Sequence, residues 1–234
     1  MDKLIAYARA QRSYDLDPLR LQFGAFGIEV RTDSASLRDA LARYFTPYVV
    51  ASLDRVDRVV EALDGVIDIP DGFSHWPREA GKTGQKEAIY DGDGFRLIWK
   101  VKTGVVFYQS PERAVAMGPC AANDNQIINF INVQYISYLQ YQGCEVCHAA
   151  AAQFGERVLA FAGFSGGGKS TLMLHCLNDP SIDYLSNDRL LVKRTGTDAR
   201  AYGIPKLPRI NPGTLMNNQA LVGLASEAQL ARWG

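Results

Sequence analysis

The chain has 234 residues, enough for one or two domains. Hydrophobic residues make up 47% and charged residues 21%, which is typical of a globular protein. Its 25 basic and 25 acidic residues balance, so no overall electrostatic field attracts nucleic acid or a membrane, and neither is predicted as a partner.

Neither a membrane span nor a signal peptide is predicted. No apolar stretch approaches the roughly 18 residues that a span requires. The first residues lack a long apolar core and run into Arg9 and Arg12, unlike a secretory leader. We therefore expect a cytoplasmic protein, in which the four cysteines would not form disulfides.

The first third of the chain predicts strands and one helix. Residues 21–32 are rich in β-formers and predict one or two strands. Asp33 or Ser34 can cap a following helix, which Pro47 ends. Residues 56–63 fit a helix by their spacing but a strand by their valines.

An antiparallel meander and a long helix are predicted next. Residues 71–94 are rich in glycine and charge and predict a long loop or hairpin. Three short strands, separated by turn residues, are predicted at 95–101, 105–109 and 113–117. An apolar stripe at helical spacing predicts a helix over about 125–142.

The rest of the chain predicts an α/β core. Strands are predicted at 144–153 and 158–162, a helix at 169–177, and strands at 184–186, 189–194 and 199–204. We therefore expect an α+β region over residues 1–120 and a core with a mixed sheet over residues 121–234. The amphipathic ending leads us to expect that the chain is a piece of a longer protein, truncated at its C-terminus.

The run from Gly163 to Ser170, Gly-Phe-Ser-Gly-Gly-Gly-Lys-Ser, fits the phosphate-loop pattern G-x-x-x-x-G-K-[ST] in full. Glycines allow successive N–H groups to point at phosphate oxygens, and the following helix adds the positive end of its dipole. Lys169 supplies a positive charge for the β- and γ-phosphates, and the Ser170 hydroxyl can bind Mg²⁺. The predicted ATP-binding residues are Gly163, Ser165, Gly166, Gly167, Gly168, Lys169, Ser170 and Thr171.

Phosphoryl transfer needs a second protein anchor for Mg²⁺. Asp188 is the candidate, because it follows the strand predicted after the loop helix. The alternative is an Asx-turn residue with no catalytic role.

These residues resemble the HPr kinase/phosphorylase family. The resemblance rests on Cys147-His148-Ala149, on the phosphate loop and on Leu185-Ser186-Asn187-Asp188. The segment 203–213 resembles a subgroup described as HPr-kinase-related kinase B. The resemblance implies a nucleotide-binding core like that of phosphoenolpyruvate carboxykinase, and ATP-dependent phosphorylation of a serine on a protein substrate. It leaves a homo-oligomer open.

Carried over by position, the resemblance implies that Ser170 and Asp188 hold Mg²⁺ and that Lys169 holds phosphates. His148 would lie near the transferred phosphoryl group, and Asn187 occupies the first position of the family's acidic Asp-Asp pair. A neutral amide can orient a hydroxyl but cannot take a proton. Thr171 stands where the family has a glutamate. These departures argue against a reverse, phosphorolytic reaction, and leave Asp188, His148 or no strong base as the proton acceptor.

Two further patterns leave alternatives open. Lys206 and Arg209, in a proline-rich segment, are either cations that stabilise the transition state or solvated loop charges. Residues 144–148, Cys-Glu-Val-Cys-His, match the attachment pattern of c-type haem. We set haem aside because no export signal is present and a strand would place the two cysteines on opposite faces.

Two other functions remain as alternatives to a kinase. An ATPase of the ABC type would share the phosphate loop, but no L-S-G-G-Q segment or later hydrophobic Asp-Glu strand is visible. A nucleotide-binding regulatory module without phosphotransfer is favoured by Asn187.

Overall fold

A computed structural model of the protein describes residues 1–75, 84–164, 166–208 and 210–233. Contacts between Cα atoms divide the chain into Met1–Gln134 and Tyr135–Gly234, here called the N-terminal and C-terminal units. The division falls inside the long helix Asp124–Tyr141, whereas the sequence predicts a boundary before this helix, after residue 120.

The strands of the N-terminal unit are β1 Leu19–Phe23, β2 Phe26–Thr32, β3 Arg58–Asp64, β4 Ser74–His75, β5 Glu87–Gly92, β6 Phe95–Lys100, β7 Val106–Gln109 and β8 Ala114–Gly118. They form one eight-stranded sheet in the order β1-β2-β3-β8-β7-β6-β5-β4. β3 runs parallel to β2 and β8, and the other neighbouring strands are antiparallel. The protein is therefore mixed α/β with a mixed sheet, although we expected that sheet after residue 120.

The central strand β3 decides the ambiguity at residues 56–63 in favour of a strand. Val60 and Ala62 are fully buried, as expected for a strand flanked by parallel neighbours and covered on both faces. Glu61 is buried as well, but it accepts a hydrogen bond of 2.6 Å from the Tyr14 hydroxyl and forms an ion pair with Arg113. These partners compensate the cost of burying a carboxylate.

The predicted meander is confirmed in β6, β7 and β8, which pair antiparallel in sequence order. The predicted loop or hairpin region at 71–94 contains β4 and β5, which pair with each other, and residues 76–83 lie outside the described part of the chain. The two turns that connect the meander strands thus lie where glycine and proline predicted them.

Three helices accompany this sheet: α1 Asp2–Arg9, α2 Ala35–Tyr44 and α3 Asp124–Tyr141. α2 and α3 are confirmed predictions, and the Ser34 side chain caps α2 by accepting from the backbone N–H of Leu37. α1 was not predicted; it buries Leu4 and Ala8 against the sheet, and Ile5 is partly buried beside them.

The strands of the C-terminal unit are β9 Glu145–Cys147, β10 Ala149–Phe154, β11 Arg157–Ala162, β12 Ile182–Ser186, β13 Leu190–Thr195 and β14 Asp198–Tyr202. They form two three-stranded sheets, β11-β10-β12 and β14-β13-β9. Every pairing between these described strands is antiparallel. The helices are α4 Lys169–Cys176, α5 Pro212–Met216, α6 Gln219–Val222 and α7 Glu227–Trp233.

β10 packs against other elements of this unit on both of its faces. Ala150 and Ala152 contact Met173 and Leu174 of α4, while Ala149 and Ala151 pack with Leu190 at the start of β13. The run of small side chains therefore allows close packing on both faces of the strand.

The predicted single strand over residues 144–153 is wrong. It is two strands, β9 and β10, which are interrupted at His148 and belong to different sheets. No turn residue such as glycine or proline marks the break, so the sequence did not show that the chain passes from one sheet to the other there.

Among residues 1–75, 84–164, 166–208 and 210–233, the helices are all too short or too polar to cross a bilayer.

Candidate active site

The phosphate loop joins β11 to α4 and lies in the strand–loop–helix setting that its motif requires. Gly166 and Gly168 have φ angles of 79° and 77°, a left-handed conformation that residues with a Cβ rarely adopt. Gly168 is the N-cap of α4, so the loop ends at the positive end of the helix dipole. Ser165, also predicted to bind phosphate, lies outside the described residues.

The side chain of Lys169 folds back onto the main chain of the phosphate loop. Its ammonium group donates to the main-chain carbonyls of Gly163 and Phe164, at 2.9 Å each. The backbone N–H of Gly167 donates to the same Phe164 carbonyl at 3.1 Å. These bonds hold the lysine against the loop to which we assign phosphate binding.

The sheet register brings three distant segments to one edge. In the antiparallel sheet β11-β10-β12, Ala162 at the end of β11 pairs with Ala149 at the start of β10, and Ser186 at the end of β12 pairs with Ala151. The phosphate loop follows β11, His148 precedes β10, and Asn187 and Asp188 follow β12. The topology therefore gathers the three segments that carry the predicted site.

The second sheet explains why His148 and Asp188 meet. Cys147 at the end of β9 pairs with Leu190 at the start of β13. The segment that connects β9 to β10 and the segment that connects β12 to β13 therefore cross between the two sheets side by side. His148 lies in the first connection and Asp188 in the second. The two residues face each other because of this shared crossing.

A cleft of about 330 Å³ lies at this edge of the C-terminal unit. It is lined by nine of the predicted site residues: His148, Gly166, Gly167, Gly168, Lys169, Ser170, Thr171, Asn187 and Asp188. Lys206, the candidate transition-state cation, also lines it, whereas Arg209 lies outside the described residues. Gly163 is not part of the lining and contributes the carbonyl that holds Lys169.

His148 and Asp188 lie close together in the cleft. The distance between His148 Nε2 and Asp188 Oδ1 is 3.4 Å, and the two side chains are 64% and 48% exposed. At these exposures both groups remain accessible to a ligand in the cleft.

Ser170 and Asp188 provide the oxygen atoms that suit Mg²⁺. Both residues line the cleft, and Mg²⁺ is usually held by one or two protein oxygens together with substrate phosphates and water. Among the residues that the structure describes, no group of three or more His, Cys, Asp or Glu side chains could hold a metal by itself. Ser170 and Asp188 are thus the described residues of the cleft that could hold a metal ion together with other ligands.

Asn187 lies in the wall of the cleft, but its amide oxygen Oδ1 is buried and accepts no hydrogen bond within the described chain. Its neighbour Ser186 is fully buried and donates through Oγ to the Arg189 carbonyl. This hydrogen bond closes the turn at 186–189 and so fixes the main chain that carries Asn187 and Asp188.

Sequence reasoning missed several residues that shape the cleft. Tyr184 and Asn211 line it. Thr214 contacts the lining residue Thr171, and their two hydroxyl oxygens lie 2.7 Å apart. Asn211 before Pro212 is a recognisable helix start, so the presence of α5 could have been predicted. The hydroxyl contacts of Tyr184 and Thr214 have no local sequence signal.

The cysteines are free thiols. Cys144 is buried before β9 and Cys147 is half-buried within it, while His148 belongs to the cleft. Cys120 is buried in the N-terminal unit, where burial raises the pKa of its thiol to about 12. A thiol with so high a pKa is a poor nucleophile.

Comparisons of the chain with protein-family models, with curated proteins and with solved structures found no match. The resemblance to the HPr kinase/phosphorylase family therefore stays a prediction from the motifs.

Proposed function

We propose that this chain is an ATP-dependent phosphotransferase that uses Mg²⁺ and transfers the γ-phosphoryl group of ATP to a serine hydroxyl on a protein substrate. The observation that carries the proposal is the convergence of the phosphate-loop residues 166–170, Asp188 and His148 on one cleft. The choice of a protein serine as acceptor depends on the family resemblance.

The composition of the cleft agrees with an anionic ligand. Two lysines, Lys169 and Lys206, line it together with one aspartate, Asp188. Backbone N–H groups at the start of α4 add positive potential at the same place. The volume of about 330 Å³ is at the lower end for small-molecule sites, which suits a triphosphate tail better than a whole nucleotide.

Ser170 and Asp188 would hold Mg²⁺, which would supply positive charge to neutralise the charge that develops on the phosphate oxygens. The loop amides and Lys169 would hold the β- and γ-phosphates in position. Because phosphoryl transfer depends mainly on positioning and charge, these groups would supply most of the rate enhancement.

In the proposed reaction, His148 accepts the proton of the acceptor hydroxyl. The acceptor oxygen forms a bond to the γ-phosphorus, the bond from that phosphorus to the β–γ bridging oxygen breaks, and ADP leaves. The hydroxyl proton passes to the neutral imidazole of His148, and the nearby carboxylate of Asp188 stabilises the resulting imidazolium. Asn187 cannot take this proton, because its side chain is an amide.

The test is incubation of the full chain with γ-labelled ATP, Mg²⁺ and host lysate. We expect a labelled protein band containing phosphoserine, which EDTA prevents. Lys169→Ala should reduce labelling by about a hundredfold or more, on the scale seen when an electrostatic contact to the transition state is removed. Lys193→Ala, on β13 outside the cleft lining, makes the same charge change and should keep activity.

Each other outcome has a definite meaning. Release of free phosphate without a labelled product would favour an ATPase. Binding of Mg·ATP with neither product would favour a regulatory module, and full activity of Lys169→Ala would refute the assigned site.

A further inference from the structure

We propose that Tyr184 is a positioning residue that fixes the main chain of Lys206 at the cleft, from which the Lys206 ammonium group contacts the phosphate tail of the nucleotide. This inference depends on the proposed function, since it assigns a role within the same site. Tyr184 itself is not assigned to contact the reacting atoms.

The first observation is a direct hydrogen bond. The hydroxyl of Tyr184, in the middle of β12, donates to the main-chain carbonyl of Lys206 at 2.6 Å. The two residues are 22 positions apart, so the bond ties the loop after β14 to the strand that leads into Asn187 and Asp188. Both Tyr184 and Lys206 line the cleft.

The second observation is that the same loop is fixed on either side of this bond. A Cβ at Gly203 would lie 2.0 Å from the carbonyl oxygen of Leu185, so the two main chains are in close contact. Ile204 and Pro205 are buried, and the backbone N–H of Lys206 donates to the Ile204 carbonyl at 2.7 Å. The main chain of Lys206 is therefore fixed in direction as well as in position.

The third observation concerns charge. Within the described residues, no carboxylate forms an ion pair with Lys206. An unpaired ammonium group in a cleft that already contains Lys169 favours a ligand with several negative charges.

A hydrogen bond to the main chain matters because a lysine side chain is long and flexible. The bond cannot fix the ammonium group directly, but it fixes the Cα from which the side chain starts. With the bond lost, the loop can shift and the ammonium group spends less time on the phosphate. Small displacements of this kind reduce the rate of the chemical step more than they reduce binding.

The test compares Tyr184→Phe, Lys206→Met and the double variant with the wild type. Lys206→Met keeps an unbranched apolar side chain and removes the charge. We expect Tyr184→Phe to lower kcat about tenfold, the effect of one lost hydrogen bond, and Lys206→Met to lower it about a hundredfold. Because Tyr184 acts through Lys206, the double variant should match Lys206→Met alone.

A binding measurement provides a readout that does not depend on turnover. By calorimetry, Lys206→Met should lose most of the preference for Mg·ATP over Mg·ADP, and Tyr184→Phe should lose part of it. Tyr202→Phe, on β14 and outside the cleft lining, is the matched control and should behave like the wild type. Thermal unfolding of each variant shows whether it is folded, and Lys206→Met tests the role of the charge even if Tyr184→Phe unfolds.

The failures can be told apart. Equal kcat for Tyr184→Phe and wild type, or losses that multiply in the double variant, would overturn this inference and leave the proposed function standing. A wild-type chain that neither binds Mg·ATP nor transfers phosphate would overturn the proposed function itself.

Discussion

Gly203 is a residue at which the loop after β14 lies in close contact with β12. The contact is with the carbonyl oxygen of Leu185, a main-chain atom that cannot rotate away. A side chain of any size at this position must therefore separate the two segments. Since β12 leads directly to Asn187 and Asp188, such a separation would disturb the cleft.

We predict that Gly203→Ala destabilises the C-terminal unit by about 1–3 kcal/mol, the usual cost of overpacking. The change should be measured by urea unfolding followed by circular dichroism. Gly213→Ala is the matched control, because a Cβ at Gly213 has no neighbour within 4 Å and alanine favours the helix α5. Equal stability of the two variants would show that the contact at Gly203 is not tight.

Whether a site residue could be predicted from the sequence depends on the kind of contact that it makes. The phosphate-loop residues could be predicted because the chemistry depends on adjacent positions. Asp188 was predicted as a metal anchor because it follows the strand after the loop helix. His148 could be placed near it only through the family resemblance, because 40 positions separate the two (188 − 148) and their contact depends on strand pairing. Tyr184 could not be predicted, since its role depends on a carbonyl group that any residue could supply.

At the scale of elements, the contact between α4 and α5 depends on a pair of hydroxyl groups. Thr171 lies in the first turn of α4, and Thr214 is buried in α5, with a distance of 2.7 Å between the two Oγ1 atoms. The same short segment carries Asn211, which lines the cleft. The pair therefore links the phosphate-loop helix to the far wall of the cleft, and gives Thr171 a structural role.

We predict that Thr171→Val destabilises the protein by about 1–2 kcal/mol, because it leaves the buried Thr214 hydroxyl without its partner. The double variant Thr171→Val and Thr214→Val should cost less than the sum of the single variants, since no unpaired hydroxyl remains. Chemical unfolding of all four proteins measures this coupling. Additive losses would mean that the two hydroxyls do not interact.

The helices α2, α3 and α4 were predicted from apolar residues that recur about every 3.6 positions, and the meander strands from short apolar runs separated by turn residues. The break at His148 and the direction of β3 depend on which strand lies alongside. Sequence periodicity contains no information about that neighbour.

At the scale of the whole molecule, the residues assigned to nucleotide binding all belong to the C-terminal unit. We predict that Mg·ATP slows hydrogen exchange in the phosphate loop and around residues 187–188 and 203–208. A ligand at about 100 times its Kd stabilises the state that binds it by about 2.7 kcal/mol. Mass spectrometry of peptides before and after addition of ligand measures the effect.

The N-terminal unit provides the internal reference for this experiment. Its sheet contains none of the predicted site residues, so peptides from β2 and β3 should change little. Protection confined to the N-terminal unit would mean that the nucleotide binds elsewhere. Protection that persists in Lys169→Ala would contradict the assigned loop.

The mixed sheet shows the limit of prediction at this scale. Its parallel pairs join β2 to β3 and β3 to β8, and more than 40 residues lie between the last two strands (from 65 to 113). Which strands pair at such a separation depends on the burial of both faces of β3. Composition alone does not show to which sheet β3 belongs.

The two main-chain acceptors held by the ammonium group of Lys169 have a consequence for ligand choice. An ammonium group has three N–H donors, and the carbonyls of Gly163 and Phe164 take two of them, so one donor of Lys169 remains for an incoming anion. In the proposed site, a polyphosphate would reach more of the loop amides, the lysine and the metal than orthophosphate does. We therefore expect chelation to select ligands by length before charge.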